Sequence, residues 1–298
     1  MAQKKNDYII PLAIIGMMFF IVGFALGINS YIVPLLQGAL NVSSGQSYLL
    51  LASTFAAFLL FSYPATALIT KVGYKKTMVL AFAIFAFGFL LFVPSAKMQS
   101  LPLFMIASFI CGIGNTVLQA AINPYATYLG PIDTAARRIS IMGICNIIAW
   151  PASPMFLAWL IGKNLDEMVL SDIIFPFYVL TAIFVLLGIL VWVSPLKEMA
   201  FGEQEEETED TSEADGKTSI FQFPHLILGA IALFMYVGVE TVAMASSVDY
   251  AASLSLPDPE QYAFVPSIGM ILGYIFGIVM IPKYLSQSGA LRLHSWVA

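Results

Sequence analysis

Charged side chains are scarce. They make up 10% of the 298 residues, against 59% hydrophobic, where a soluble domain carries roughly 25% charged residues. A water-soluble fold of this length has too little interior to hide so much apolar surface. The scarcity therefore excludes a soluble globular protein and points to an integral membrane one. Histidine is scarcer still, with only His225 and His294. No HExxH pair, glycine-rich nucleotide loop or His/Ser/Asp set can be assembled, so no enzyme activity, metal or cofactor is expected. The two cysteines, Cys111 and Cys145, both fall in apolar runs. That argues against a disulfide framework or zinc site and for thiols that act as small apolar residues. The period-two alternation of a membrane β-barrel is missing. No cleavable signal peptide is expected, because the first apolar run is too long for one. Nothing suggests a nucleic-acid partner.

What the chain does have is long apolar runs. A helix needs about 20 such residues to cross a bilayer. The runs predict eight spans, at 8–34, 47–70, 76–95, 101–129, 138–161, 173–195, 221–248 and 262–282, with a polar turn over 35–46. Basic residues set the orientation. With the N-terminus inside, eleven of the thirteen Lys and Arg fall on the cytoplasmic side, and only Lys97 and Lys163 fall outside. A multi-pass protein of the plasma (inner) membrane is expected, with both termini cytoplasmic.

The net charge of −5 reflects mainly one run, 203-EQEEETEDTSEAD-215. It reads as a solvated tether. It divides the chain into a six-span bundle (1–196), an acidic cytoplasmic linker (197–220) and a further segment (221–298) with two spans and a short tail.

Between Met98 and Ile132 no residue is charged, yet the run holds Asn115, Gln119 and Asn123, followed by Pro124. At four-residue spacing these amides form one helical stripe, drifting about 40° per step. Amides facing lipid are costly, so the stripe should meet other helices or a polar cavity. Interhelical hydrogen bonding is one reading. A cavity wall is the other, since Pro124 also frees a backbone carbonyl. Amides donate and accept at once, which suits a neutral, hydroxyl-rich solute. Asn29 and Ser30 in the first span and Asn146 and Trp150 in the fifth add polar or aromatic groups at similar depth. Gly23 and Gly27 make a GxxxG pair, read as close helix packing. The seventh span holds Glu240 between apolar neighbours. An intramembrane carboxylate reads as a proton carrier, cation ligand or substrate contact, or as a protonated carboxyl bonded to backbone. Asp249 and His225 lie toward the ends of the same span and read as interfacial.

The stretch 118-LQAAINPYATYLGP-131 with 137-RRISIMGICN-146 resembles the fourth and fifth helices of the fucose–galactose–glucose/proton symporters of the major facilitator superfamily, in particular the glucose/galactose transporter branch. Supporting stretches are 23-GFALGINSYIVPLL-36, 72-VGYKKTMVLAFAIFAFGFLLFVPSA-96, 236-YVGVE-240 and 281-IPKYLSQSGAL-291. The loop 68-LITKVGYKK-76 matches the superfamily's second-to-third helix loop, with Thr70 in place of its usual acid. The resemblance implies an all-α membrane bundle with a complete six-helix N-terminal half and about two helices of the C-terminal half. It implies proton symport of a neutral monosaccharide by alternating access. Asn29, Gln119, Asn123, Asn146 and Trp150 would contact the sugar. Ser30 and Gln119 stand where L-fucose members carry proton-linked acids and cannot titrate. That leaves Glu240 to carry the coupling proton, or another cation. The family has twelve helices, so the chain reads as a C-terminally truncated or frameshifted member, ending in 292-RLHSWVA-298. The other reading is a membrane protein that does not transport, either a sugar sensor or an inactive remnant.

Overall fold

The computed structural model describes residues 9–131, 134–163, 168–198, 222–257, 262, 264–281 and 283–297. Among these it forms helices α1 (Ile9–Leu40), α2 (Ser44–Val72), α3 (Tyr74–Lys97), α4 (Leu101–Tyr128), α5 (Ala135–Ile161), α6 (Ile174–Val193), α7 (Pro224–Ser253), α8 (Phe264–Met280) and α9 (Gln287–Val297), and no strand. Seven of them, α1 to α7, are long and apolar enough to cross a membrane. The expected eighth span is the 17-residue α8, about 25 Å long at 1.5 Å per residue and near the lower limit for a span. Beyond Glu198 the acidic linker lies outside the described residues as far as position 221.

The polar turn expected over 35–46 is much shorter. Helix α1 continues through Pro34 to Leu40, and only Asn41, Val42 and Ser43 turn the chain. Local side-chain bonds shorten it. Asn41 takes a left-handed conformation (φ 49°), Ser43 and Gln46 form a capping box at the start of α2, and Gln37 Nε2 donates to Ser47 Oγ at 2.8 Å. The polar residues read as loop are holding two helix ends together.

The chain divides into two compact units, 1–201 with 274–298, and 202–273. In the first, α4 packs between α2 and α3, α6 covers α3, and α1 lies against α5 while touching α2 and α4. Lipid tails are as apolar as these side chains, so close packing has to hold the helices together. Two devices supply it. On α3, Phe82, Phe85, Phe89 and Phe92 recur on one face and meet Phe177 and Phe184 of α6; Phe92 stacks on Phe177 at 4.7 Å, and Phe89 meets Phe184 at 4.8 Å. All six rings are buried. On α1 the GxxxG pair works as expected. A Cβ on Gly23 would strike the Asn146 carbonyl, and one on Gly27 would strike Ser153 and the Trp150 carbonyl, so α1 and α5 touch backbone to backbone. Exposed side chains along α6, including Leu186, Ile189 and Leu190, form an apolar outer face.

Candidate functional site

The amide stripe on α4 turns gradually out of the core. Asn115 is buried, Gln119 is half-buried and Asn123 is exposed, as the drift of a four-residue repeat on a 3.6-residue helix requires. Gln119 Nε2 donates to Asn115 Oδ1 at 2.9 Å. This orients the glutamine and leaves its carbonyl oxygen outside the bond between the two amides. Asn146, half-buried on α5, donates from Nδ2 to the Phe19 carbonyl of α1 at 3.0 Å. Trp150 is half-buried one turn further on. Its carbonyl, deprived of a helical donor by Pro154, accepts from Ser153 Oγ at 2.9 Å.

Asn29 goes elsewhere. It is 2% exposed, and Nδ2 donates to Thr54 Oγ1 of α2 at 3.1 Å. Thr54 Oγ1 in turn lies 2.7 Å from Ser108 Oγ of α4. Ser108 precedes Gln119 by eleven residues, about 16 Å along the helix. The structure therefore brings Asn115 and Gln119 together, sets Asn146 and Trp150 on the α1–α5 seam, and puts Asn29 at a separate level. Glu240 is half-buried on α7, one turn after Tyr236. It belongs to the second unit.

Some structural roles escaped the sequence reading. Arg138 counted there only as one loop charge. It is buried, and its guanidinium donates to the carbonyls of Ala126 (3.0 Å), Thr127 (2.6 Å) and Pro131 (2.9 Å) and to Thr134 Oγ1 (2.6 Å). It thereby closes the C-terminal end of α4, where helix carbonyls lack partners and the dipole favours a cation. The exit of α6 is also tied down. Glu198 accepts from the Lys75 backbone N–H at 3.0 Å, Lys75 Nζ donates to the Ser194 carbonyl at 2.8 Å, and the Tyr125 hydroxyl donates to the Lys197 carbonyl at 3.0 Å. Gly73 permits this approach, with a positive φ of 86° and no Cβ to meet the Glu198 carboxylate. Thr70 donates to the Ala67 carbonyl of its own helix. Where α5 turns toward α6, Lys163 pairs with Asp172 at 2.7 Å. That bond and the Val169 N–H hold the Asp172 carboxyl below its ordinary pKa.

One readable signal was overlooked. Asn29, Gln119 and Asn146 each precede a proline by five residues: Pro34, Pro124 and Pro151. Each proline withholds the helical N–H from the carbonyl next to the amide, at Ser30, Ala120 and Ile147 respectively. Amide side chain and under-bonded carbonyl thus recur side by side on α1, α4 and α5. All three helices run on through their prolines, so each carries a polar side chain beside a weakened turn. No group of three or more His, Cys, Asp or Glu suited to a metal occurs among the described residues.

Comparison with known proteins agrees with this architecture. Across 92% of the chain the fold superposes on 71% of a crystallised transporter, FucP, in the outward conformation, with a TM-score of 0.70 at 21% identity. The chain is 30% identical over 305 aligned residues to a glucose/galactose transporter of Brucella abortus biovar 1 (strain 9-941), covering 99% of this chain and 72% of that protein. It is 24% identical to the L-fucose-proton symporter of Escherichia coli (strain K12), covering 84% of this chain and 61% of that one. These relatives are transporters and not enzymes. A family model described as Major Facilitator Superfamily matches residues 15–291, and with it the helical bundle has its place: the chain belongs to the Major Facilitator Superfamily.

Proposed function

We propose that this chain is the polypeptide of a secondary-active transporter for a neutral monosaccharide of the glucose, galactose and fucose class, driven by proton symport with alternating access. The observation that carries the reading is the Asn115–Gln119 pair, two amides placed within a helix that has no charged residue and bonded to each other at 2.9 Å. The pair points Gln119 away from the core while still offering hydrogen-bonding capacity to a hydroxyl-rich solute. Asn123, Asn146 and Trp150 complete the sugar-contacting set, and Glu240 carries the coupling proton. The names of the two relatives support the solute class. Residues 1–196 act as one bundle of the alternating pair, 197–220 as the tether and 221–298 as part of the other. Both termini lie in the cytoplasm, and the chain resides in the plasma (inner) membrane.

Sugar binding to the purified chain tests this. Gln119→Ala and Asn123→Ala should each weaken D-galactose binding by roughly 1–3 kcal/mol, because a solute hydroxyl loses its partner. Unchanged affinity in both, at normal expression, would return the stripe to a packing role.

A further inference from the structure

The Asn29 side chain is anchored at one end only. Among the described residues, no group donates to its Oδ1, although that oxygen is buried. Buried acceptors in native proteins almost always have a donor, so an orphan calls for a reason.

The neighbouring hydroxyls decide which way the amide faces. Ser108 Oγ lies 3.1 Å from the Leu50 carbonyl, an acceptor for its single proton. The single Thr54 proton has three acceptors of its own: Ser108 Oγ at 2.7 Å, the Leu50 carbonyl at 3.4 Å and the Ser108 carbonyl at 3.5 Å. On any of these acceptors the Thr54 proton is spent, and its oxygen accepts from Asn29 Nδ2, 3.1 Å away. The amide is thereby fixed with its NH2 toward α2 and its carbonyl oxygen unmatched. A second feature lies beside it. Pro34 takes the helical donor from the Ser30 carbonyl, so α1 has its weak point one residue beyond Asn29, where helices bend.

We propose that Thr54 and Ser108 are positioning residues that lock Asn29 as an acceptor, and that Asn29 Oδ1 receives a hydroxyl of the translocated sugar at an outer subsite, opened when α1 bends at Pro34. The proposal rests on the sugar-transport reading for its guest, but not for the orientation of the amide. This subsite is distinct from Gln119. Eleven residues of α4 separate Ser108 from Gln119, so a single sugar ring meets the two levels in turn and not together. Water offers the same O–H donor, and the test separates the two guests.

The full chain, labelled with 15N-asparagine in lipid nanodiscs, provides two readouts. The first is proton exchange at the Asn29 side-chain amide. Exchange should be slow, should speed up at least tenfold in Thr54→Val, and should recover in Thr54→Ser, which restores the hydroxyl. Unchanged exchange in Thr54→Val overturns the relay, whatever sugar does. The second is the affinity for D-galactose and its mono-deoxy derivatives. Thr54→Val should weaken galactose binding about tenfold but leave unaffected the one derivative that lacks the hydroxyl bound by Asn29, and Thr54→Ser should again restore it. If galactose binds equally well to Thr54→Val while exchange has changed, the guest is water and the subsite is overturned. If the unsubstituted chain binds no hexose, the sugar-transport reading fails and the subsite with it, while the exchange result still decides the orientation of Asn29.

Discussion

Arg138 carries a full charge inside the bundle, and its guanidinium donates to backbone carbonyls and one hydroxyl. Hydrogen bonds to a charged group are each worth about 1.5–3 kcal/mol when a partner is deleted. Arg138→Gln should therefore lower the stability of the chain by about 3 kcal/mol, read as a drop in thermal unfolding temperature in detergent. Arg138→Lys should recover only part of this, since an ammonium cannot fork to several carbonyls on separate turns. Equal unfolding temperatures for all three would show that the carbonyls find other donors. Counting basic residues revealed the side of the membrane on which Arg138 was expected, but not its inward direction. Thr54 and Ser108 were hidden for another reason. Hydroxyls on apolar helices usually bond their own preceding turn, as Ser53 does to Leu49 and Ser95 to Leu91. Nothing in sequence separates those from the two that bridge helices.

Among the elements, α1 and α5 depend on the absence of side chains. An added Cβ at Gly23 would collide with the backbone of Asn146, whereas one at Gly38 has nothing within 4 Å. Gly23→Val should cost roughly 1–3 kcal/mol through overpacking. Gly38→Ala, in the same helix, should be neutral or stabilising by about 0.5–1 kcal/mol. A thermal-unfolding comparison of the two checks this, and equal effects would refute the backbone-contact reading. Most helices were legible because hydropathy reports burial in lipid directly, and the GxxxG spacing announced this seam. The extension of α1 to Leu40 was not legible. Pro34 and the polar residues after it favour a break on local grounds, and the capping bonds that overrule it come from Ser43, Gln46 and Ser47 of the next helix. The amide stripe was visible from spacing alone. Which of its members pair with each other depends on how far α4 is rotated, and its packing between α2 and α3 sets that.

At the scale of the molecule, the distribution of basic residues predicts which face meets the cytoplasm. With Cys111 and Cys145 replaced, Val42→Cys should react with an impermeant thiol reagent applied to intact cells, and Asp210→Cys should not. The opposite pattern would invert the topology. The proposed transport asks more, namely that a proton on Glu240 and a sugar on the α4 amides would cross together. Glutamine in place of Glu240 keeps the shape and hydrogen bonding of the protonated acid but cannot release a proton. The most direct measurement is uptake of labelled D-galactose by proteoliposomes containing the chain under an inward proton gradient, beside sugar exchange without a gradient. The account predicts that the chain accumulates galactose and that Glu240→Gln exchanges it without accumulating it. Accumulation by Glu240→Gln with the same pH dependence, or no galactose movement by the unsubstituted chain, would contradict it.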